Sequence, residues 1–414
     1  MKILLSAFAC APNVGSEGGV GWRWALELAK HHQVFILTDI SRRPMIQPAL
    51  GALTNPKIIY FRPAFLKKLP LNSHTAQMLY SLWQYSLLPF ARLLHREHCF
   101  DLAIHLTYGV FRHPSFLGFL GIPFVFGPVG GGEDAPWRLK KSIKGKEKLK
   151  EALRTALNKL TLLNPFLWLA YSRAKLILVK TEDTRQALPW PFRNRAIVFP
   201  EIGIDCQTSI SASRRLPNSP IKVLFAGRMI GWKGIHLAIR AVVAAKHLGA
   251  AIDFTLVGSG PMKENLHILA KSLTIESEIN WIKQLPQQEL FSLYRNMDCL
   301  LFPSLHDSSG NVVLEAMSFG LPVICLDLGG PKTLVNEQCA TVVSTTNRSE
   351  EEVINALAQA LLELANNEPM RLAMSQAAIE QARAMAWDKR IREAMVLIKA
   401  RCIPLMPNKE DSGC

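Results

Sequence analysis

The chain has 414 residues, 49% of them hydrophobic and 20% charged, with a formal net charge of +15. The length excludes one small core and leads us to expect two globular domains with large buried sheets, while the charge calls for acidic partners: phosphates, anionic lipid or nucleic acid. The eight cysteines are scattered, with no C-x-x-C and no metal-ligand spacing, which fits free thiols in a reducing cytosol.

Met1–Ala11 begins with Lys2 and an apolar stretch, but the stretch is short and runs into a Gly-rich loop and an amphipathic helix. Lys2–Phe8 is therefore predicted as a buried first strand rather than a signal peptide. No apolar run approaches the roughly 20 residues that cross a bilayer. Cys414 is terminal, not fourth from the end as a prenylation box requires. Pro12–Gly21, PNVGSEGGVG, is predicted as a loop, followed by a helix over Trp22–Lys30 and a strand over Val34–Thr38. Gly15, Gly18 or Gly19, and Gly21, with Asp39 ending the second strand, suggest the dinucleotide fingerprint of an NAD-dependent dehydrogenase. The spacing opposes it: Gly15 lies too far beyond the strand and Pro12 interrupts the turn. A flexible loop at a cleft floor, touching a phosphate or an acceptor, fits better.

Asp101–Thr107 reads as a strand with His105 near its carboxyl end, facing the cleft; a lone histidine can equally be structural, and His113 is a second candidate. Pro123–Gly132 is a strand entering a glycine loop. The stretch 138–159 then gathers Lys140, Lys141, Lys144, Lys146, Lys148, Lys150 and Arg154 ahead of the apolar Leu160–Tyr171. A basic segment beside Phe166 and Trp168 suits an anionic membrane surface, and a solvated helix followed by a core helix suits the same residues. Nucleic acid fits poorly, because no aromatics are interleaved with the basic residues as a stacking platform needs. Leu176–Thr181 is a strand, Ile197–Asp205 a last strand and turn, and Gln207–Pro220 an interdomain linker rich in Ser, Pro and Arg.

The second half repeats one device. Val223–Ala226 is a strand after which Gly227 and Gly231 turn the chain, and Arg228 and Lys233 precede a helix starting near Gly234. Two cations at a strand's carboxyl end can neutralise a diphosphate. Thr255–Pro261, TLVGSGP, is a strand ending in the glycine loop that holds Gly258. Leu300–Pro303, the polar loop Ser304–Ser309, the helix Gly310–Phe319 and the strand Val323–Leu326 make a βαβ unit whose loop sits at a strand's carboxyl end, where doubly wound sheets bind ligands. Ser309, Gly310, Asn311 and Val312 stand where that helix begins, and a helix N-terminus suits a phosphate. Asp307 and Glu315 bracket it and can accept hydrogen bonds from sugar or ribose hydroxyls; alternatively Asp307 caps the helix and Glu315 is solvated.

The set GRMIGWKG, LVGSGP and PSLHDSSGNVVLEAMSFGLPVI resembles the C-terminal half of glycosyltransferase family 4, retaining enzymes of GT-B fold that include bacterial polysaccharide-biosynthesis glycosyltransferases. The resemblance is close over Ile221–Val335 and looser elsewhere. The family's usual Glu-x7-Glu is here Asp307-x7-Glu315. The resemblance implies that Asp307 contacts the donor sugar, Glu315 the ribose, and Arg228 and Lys233 the diphosphate. It further implies that Gly18 and Gly19 form a glycine loop at the cleft and that His105 contacts the sugar. Glu201 stands where Asn is commoner.

The expectation is an α/β protein of GT-B fold, two doubly wound Rossmann-like domains facing across a cleft. Residues 1–206 form the acceptor side, 207–220 the linker, 221–385 the nucleotide-sugar side, and 386–414 a helix crossing back. Asp307, His105, Lys233 and Arg228 are the expected catalytic residues, and Gly18, Gly19, Gly258, Ser309–Val312 and Glu315 join Arg228 and Lys233 in binding donor. No Asp-x-Asp occurs, so no metal and no cofactor beyond the nucleotide-sugar co-substrate is expected. The acceptor is a saccharide or lipid-linked saccharide, and the expected location is the cytoplasm, peripheral to the inner membrane face. A nucleotide-sugar epimerase shares the fold and is the rival activity.

Overall fold

The computed structural model describes residues 1–12, 15–51, 53–66, 69, 71, 75–142, 145–205 and 219–402. Most of the expected linker, 207–218, lies outside them, as do Lys144 and Cys414. Among the described residues thirteen strands form two parallel sheets. The first contains β1 (Lys2–Ser6), β2 (Gln33–Asp39), β3 (Lys57–Phe61), β4 (Leu102–His105), β5 (Phe124–Val129), β6 (Leu176–Val179) and β7 (Ala196–Val198), in the order 3-2-1-4-5-6-7. The second contains β8 (Ile221–Ala226), β9 (Ile252–Val257), β10 (Ile279–Ile282), β11 (Cys299–Phe302), β12 (Val323–Leu326) and β13 (Ala340–Val343), in the order 10-9-8-11-12-13. Each sheet reverses direction once, between β1 and β4 and between β8 and β11. Those reversals open the crevices in which such sheets bind ligands.

Both sheets carry helices on both faces, so their strands read as continuous apolar runs rather than as alternations. CLLF of β11 and VICL of β12 are buried at every position. In the first sheet Ile3, Ile36, Ile104 and Leu178 pack into one core, while Leu4, Phe35, Ala103 and Ile177 pack into another built on Phe8, Trp83, Phe126 and Tyr171. The helix Ala76–His98 covers this second face with Tyr80, Trp83 and Leu87. The helix Glu350–Asn366 starts on a reciprocal cap in which Ser349 and Glu352 satisfy each other's backbone N–H groups. The last helix, Trp387–Cys402, packs on the helix Ser16–Ala29 and on β5 and β6, and a bridge joins Ala386 to Ile204.

One expected loop is helix instead. Helix Ser16–Ala29 begins within PNVGSEGGVG, so Gly18, Gly19 and Gly21 are helical. Close packing is the reason: a Cβ on Gly21 would lie 2.5 Å from the Ala9 carbonyl oxygen and 2.9 Å from Thr107 Cγ2. No strand–turn dinucleotide fingerprint survives this placement.

Candidate active site

The carboxyl ends of the two sheets meet across a cleft. On the second sheet, β8 ends at Ala226, and Arg228 follows exposed, with no ion pair among the described residues. Lys233 sits one turn ahead of the helix Ile235–His247, which starts at Gly234 in the left-handed region, φ +69. A Cβ at Gly234 would fall 1.9 Å from the Pro303 carbonyl oxygen, so the turn after β8 can close on the end of β11 only with glycine there. That closure brings the Lys233 ammonium onto Asp307, with which it forms a short ion pair, while Nζ lies 4.8 Å from the Trp232 ring and 4.9 Å from Phe302. Gly258, after β9, is held against Gly227 in the same way.

The loop after β11 carries the acidic residues. Burial pushes the Asp307 carboxyl up, but Lys233 and the Ser309 and Gly310 N–H groups outweigh it and hold it below the usual carboxylate range. Its Oδ1 lies 3.4 Å from each of those nitrogens, so Asp307 pairs with Lys233 and also weakly caps the turn. The helix Asn311–Ser318 has no side-chain cap of its own, which leaves its first-turn N–H groups, at Asn311 and Val312, for a ligand. Glu315 is only partly exposed. Gln287 Nε2 and the Tyr294 hydroxyl donate to it at 3.1 and 3.4 Å, and burial raises its carboxyl. Gly19, Arg23, Gly203, Asn311, Glu315 and Trp387 line a cavity of about 390 Å³ between the two sheets. Gly19 thus reaches the cleft from a helix, and Gly18 supplies its carbonyl to the Ala11 N–H at 3.1 Å.

Three expectations need correction. His105 does not face the cleft: it is 1% exposed. On β4 it shares the phase of Ala103, so its ring enters the core beneath the helix Ala76–His98. Its Nε2 lies 3.0 Å from the Tyr80 hydroxyl, and burial, helped by His113, lowers its pKa to about 3. His113 is half-buried against Ser81 and Tyr80, its pKa lowered to about 4 by burial and Arg112. Lys140, counted among the basic surface residues, is 1% exposed and pairs with Asp134 and Glu151. Arg154 turns inward onto the Gly131 and Glu133 carbonyls.

The structure adds residues that the motifs do not announce. Lys180, just past β6, is buried with its ammonium 2.7 Å from Glu201 Oε1, 3.0 Å from Glu17 Oε1 and 3.5 Å from Ser309 Oγ. Ser309 in turn donates to Glu201 at 2.6 Å, so the network crosses the cleft into the donor-side loop. Burial pulls the Lys180 pKa down, but the two carboxylates outweigh it and raise it; Glu201 is pushed up by its own burial. Glu133 accepts from Thr181 and Thr184 at 2.7 and 2.8 Å, and Asp183 accepts from the Gly329 N–H at 2.9 Å. The available signal was a lysine ending an apolar strand, LILVK, at the end where ligands bind. Among the described residues no group of three or more His, Cys, Asp or Glu is placed to hold a metal.

A second contact across the cleft sets a pH dependence. His306, stacked 4.5 Å from the Trp232 ring, lies 2.9 Å from Glu151 on the helix Gly145–Leu160. Burial raises the Glu151 carboxyl, but His306, Lys140 and Arg154 outweigh it and bring it down to about 2. A carboxyl held below its unfolded value adds stability that is complete above that value and is lost as pH falls toward the folded one. Unfolding followed by tryptophan fluorescence should therefore show stability falling between about pH 4.5 and 2, and Glu151→Gln should flatten that limb.

Residues 207–381 match the family described as glycosyl transferases group 1. D-inositol 3-phosphate glycosyltransferases of Corynebacterium aurimucosum and Corynebacterium glutamicum are 28% and 30% identical over 171 residues. Each match takes in 40% of this chain, and 39% and 40% of those proteins respectively. A putative colanic acid biosynthesis glycosyltransferase, WcaL of Salmonella typhimurium, is 27% identical over 145 residues, 34% of this chain and 36% of that one. The chain thus spans about two fifths of the length of the curated relatives it matches. Among solved structures, the lipopolysaccharide outer core galactosyltransferase WaaB superposes with a TM-score of 0.62 at 12% identity, over 96% of this chain and 99% of that one. The Anabaena protein HepE, in complex with UDP, gives 0.61 at 14% identity, over 97% and 100%. Residues 207–381 thus match the glycosyl transferases group 1 family, and the two doubly wound sheets with the cleft between them form the two-domain GT-B fold that the superposed structures share.

Proposed function

We propose that the protein is a retaining glycosyltransferase that moves a hexose from a nucleotide-diphosphate sugar to a saccharide or lipid-linked saccharide in cell-surface or extracellular polysaccharide synthesis. The observation that carries this reading is the convergence of Lys233, Asp307, the open helix start at Asn311 and Glu315 on one cleft, with Arg228 exposed, and without an ion pair among the described residues, at the end of the neighbouring strand. Lys233 has three donors and gives one to Asp307, leaving two for phosphate oxygens. Arg228, Lys233 and the N–H groups of Asn311 and Val312 carry the diphosphate as charge develops on the leaving group. Asp307 accepts from the sugar and Glu315 from the ribose. The departing phosphate takes the proton of the acceptor hydroxyl as that hydroxyl attacks the anomeric carbon from the same face. Relatives named for lipopolysaccharide and colanic acid chemistry support an envelope polysaccharide as the product, and HepE structures that contain UDP and UDP-glucose support the donor class. The enzyme works in the cytoplasm, peripherally at the inner membrane face; no helix among the described residues is long and apolar enough to cross a membrane.

A panel of UDP- and GDP-sugars tests this by thermal shift, because a ligand bound only by the folded state raises stability by mass action. One donor should raise the unfolding midpoint, and its nucleotide should be released only when acceptor is added, at a rate that EDTA leaves unchanged. Conversion of the donor without acceptor would make the protein an epimerase, and activity lost to EDTA and restored by Mg²⁺ would overturn the phosphate assignment.

A further inference from the structure

The helix Gly145–Leu160 is inside out. A surface helix normally buries its apolar stripe and exposes its charged face. Here the charged and polar face is fixed to the protein: Glu151 meets His306 and Lys140, Thr155 donates to Asp134 at 2.9 Å, and Asn158 donates to the Gly131 carbonyl at 3.0 Å and accepts from Arg112 at 2.7 Å. The opposite face is leucine. Leu149, Leu153 and Leu160 are 71%, 58% and 58% exposed, and the stripe continues into Leu163 and Phe166 at 78% and 51%. At about 100° per residue these helical positions fall on one side. Phe166 stands edge-on to Tyr85, which is also exposed, so the stripe extends onto the helix Ala76–His98. Exposed Lys148 and Lys159 lie along one border of the stripe and exposed Lys150 along the other.

We propose that this face docks on an anionic lipid bilayer, with the leucines entering the headgroup–acyl boundary and the bordering lysines reaching lipid phosphates. An apolar stripe flanked by lysines is the arrangement that interfacial helices use, because the lysine stems lie along the apolar surface while their ammonium groups stay at headgroup level. Charge decides against a second copy as the occupant: two such faces brought together would set lysine borders against each other, whereas an anionic leaflet neutralises them. This corrects the sequence expectation in its chemistry, since Lys140 and Arg154 are spent inside the protein and the leucines are the surface. The docking helix also contacts the donor side directly, through Glu151 to His306, the neighbour of Asp307. The inference deepens the peripheral location proposed above, but vesicle binding is read without donor or turnover, so it can fail while the transferase reading stands, and the reverse.

The test is sedimentation of the full chain with vesicles of phosphatidylglycerol and phosphatidylcholine, and with phosphatidylcholine alone. The protein should sediment with the anionic vesicles. Leu149→Gln/Leu153→Gln/Leu160→Gln should weaken that partitioning at least about tenfold with an unchanged thermal midpoint, because the removed side chains are exposed. Lys148→Glu/Lys159→Glu should abolish the preference for anionic lipid. Leu163→Gln/Phe166→Gln gives an independent loss of binding if the triple variant folds poorly. Absence of wild-type binding, or wild-type binding by both leucine-face variants, overturns the proposal. So does a wild-type dimer that the triple variant converts to monomer while neither binds vesicles, which would assign the face to a second copy.

Discussion

Lys233→Ala is expected to lower turnover about 10²–10³-fold, the typical cost of removing one preorganised donor from developing negative charge. Arg228→Ala should do the same on its own and leave the thermal midpoint unchanged, since Arg228 is exposed and has no ion pair among the described residues. Lys233 is less simple. Its partner Asp307 is largely buried, and alanine would leave that carboxylate without its cation. A stability loss would then accompany the catalytic one, so Lys233→Arg is the informative companion. Arginine keeps the charge beside Asp307 and should restore the thermal midpoint while recovering only part of the rate, because its planar fork is not a point charge. Turnover near wild type in Lys233→Ala and Arg228→Ala would remove both residues from the diphosphate site.

What the sequence allowed to be read follows from where each signal lies. β8, β9, β11 and β12 are buried on both faces, so their apolar runs stand out without an alternation to decipher, and the residues after them fall at strand ends by necessity. Asp307, Lys233 and the helix start at Asn311 were legible for that reason. His105 was placed at the correct strand end but toward the wrong side, because a central strand covered on both faces gives no polar alternation that would fix its phase. The glycines after β1 looked like a loop because glycine marks both flexible turns and close helix packing, and only the approach of Gly21 to Ala9 separates the two. Lys140 and Arg154 were lost in a run of lysines whose inward members differ from the others only in three dimensions. The Glu17–Lys180–Glu201–Ser309 network draws one residue from each of four distant segments, and no spacing rule connects them.

That network carries the largest expected effect on stability. Lys180→Met should cost about 3–5 kcal/mol, the usual range when one partner of a buried ion pair is removed and the other charge remains. The cost should be high here because two carboxylates share the single ammonium: Glu201 is buried and cannot turn to water, and Glu17 also accepts the Tyr108 N–H at 2.8 Å. Methionine preserves most of the volume, so the loss reports charge rather than a cavity. Adding Glu201→Gln should recover part of it, because a neutral amide needs no counter-ion; two residues in direct contact are not expected to behave additively. The same pair separates a scaffold role from a role at the donor loop. Ser309 donates to Glu201, so the double variant should recover part of the urea midpoint yet leave donor affinity weakened if the network positions Ser309 at the helix start. A Lys180→Met midpoint within about 0.5 kcal/mol of wild type, the range of surface substitutions, would show that the buried ammonium is dispensable and that the two domains are held by other contacts.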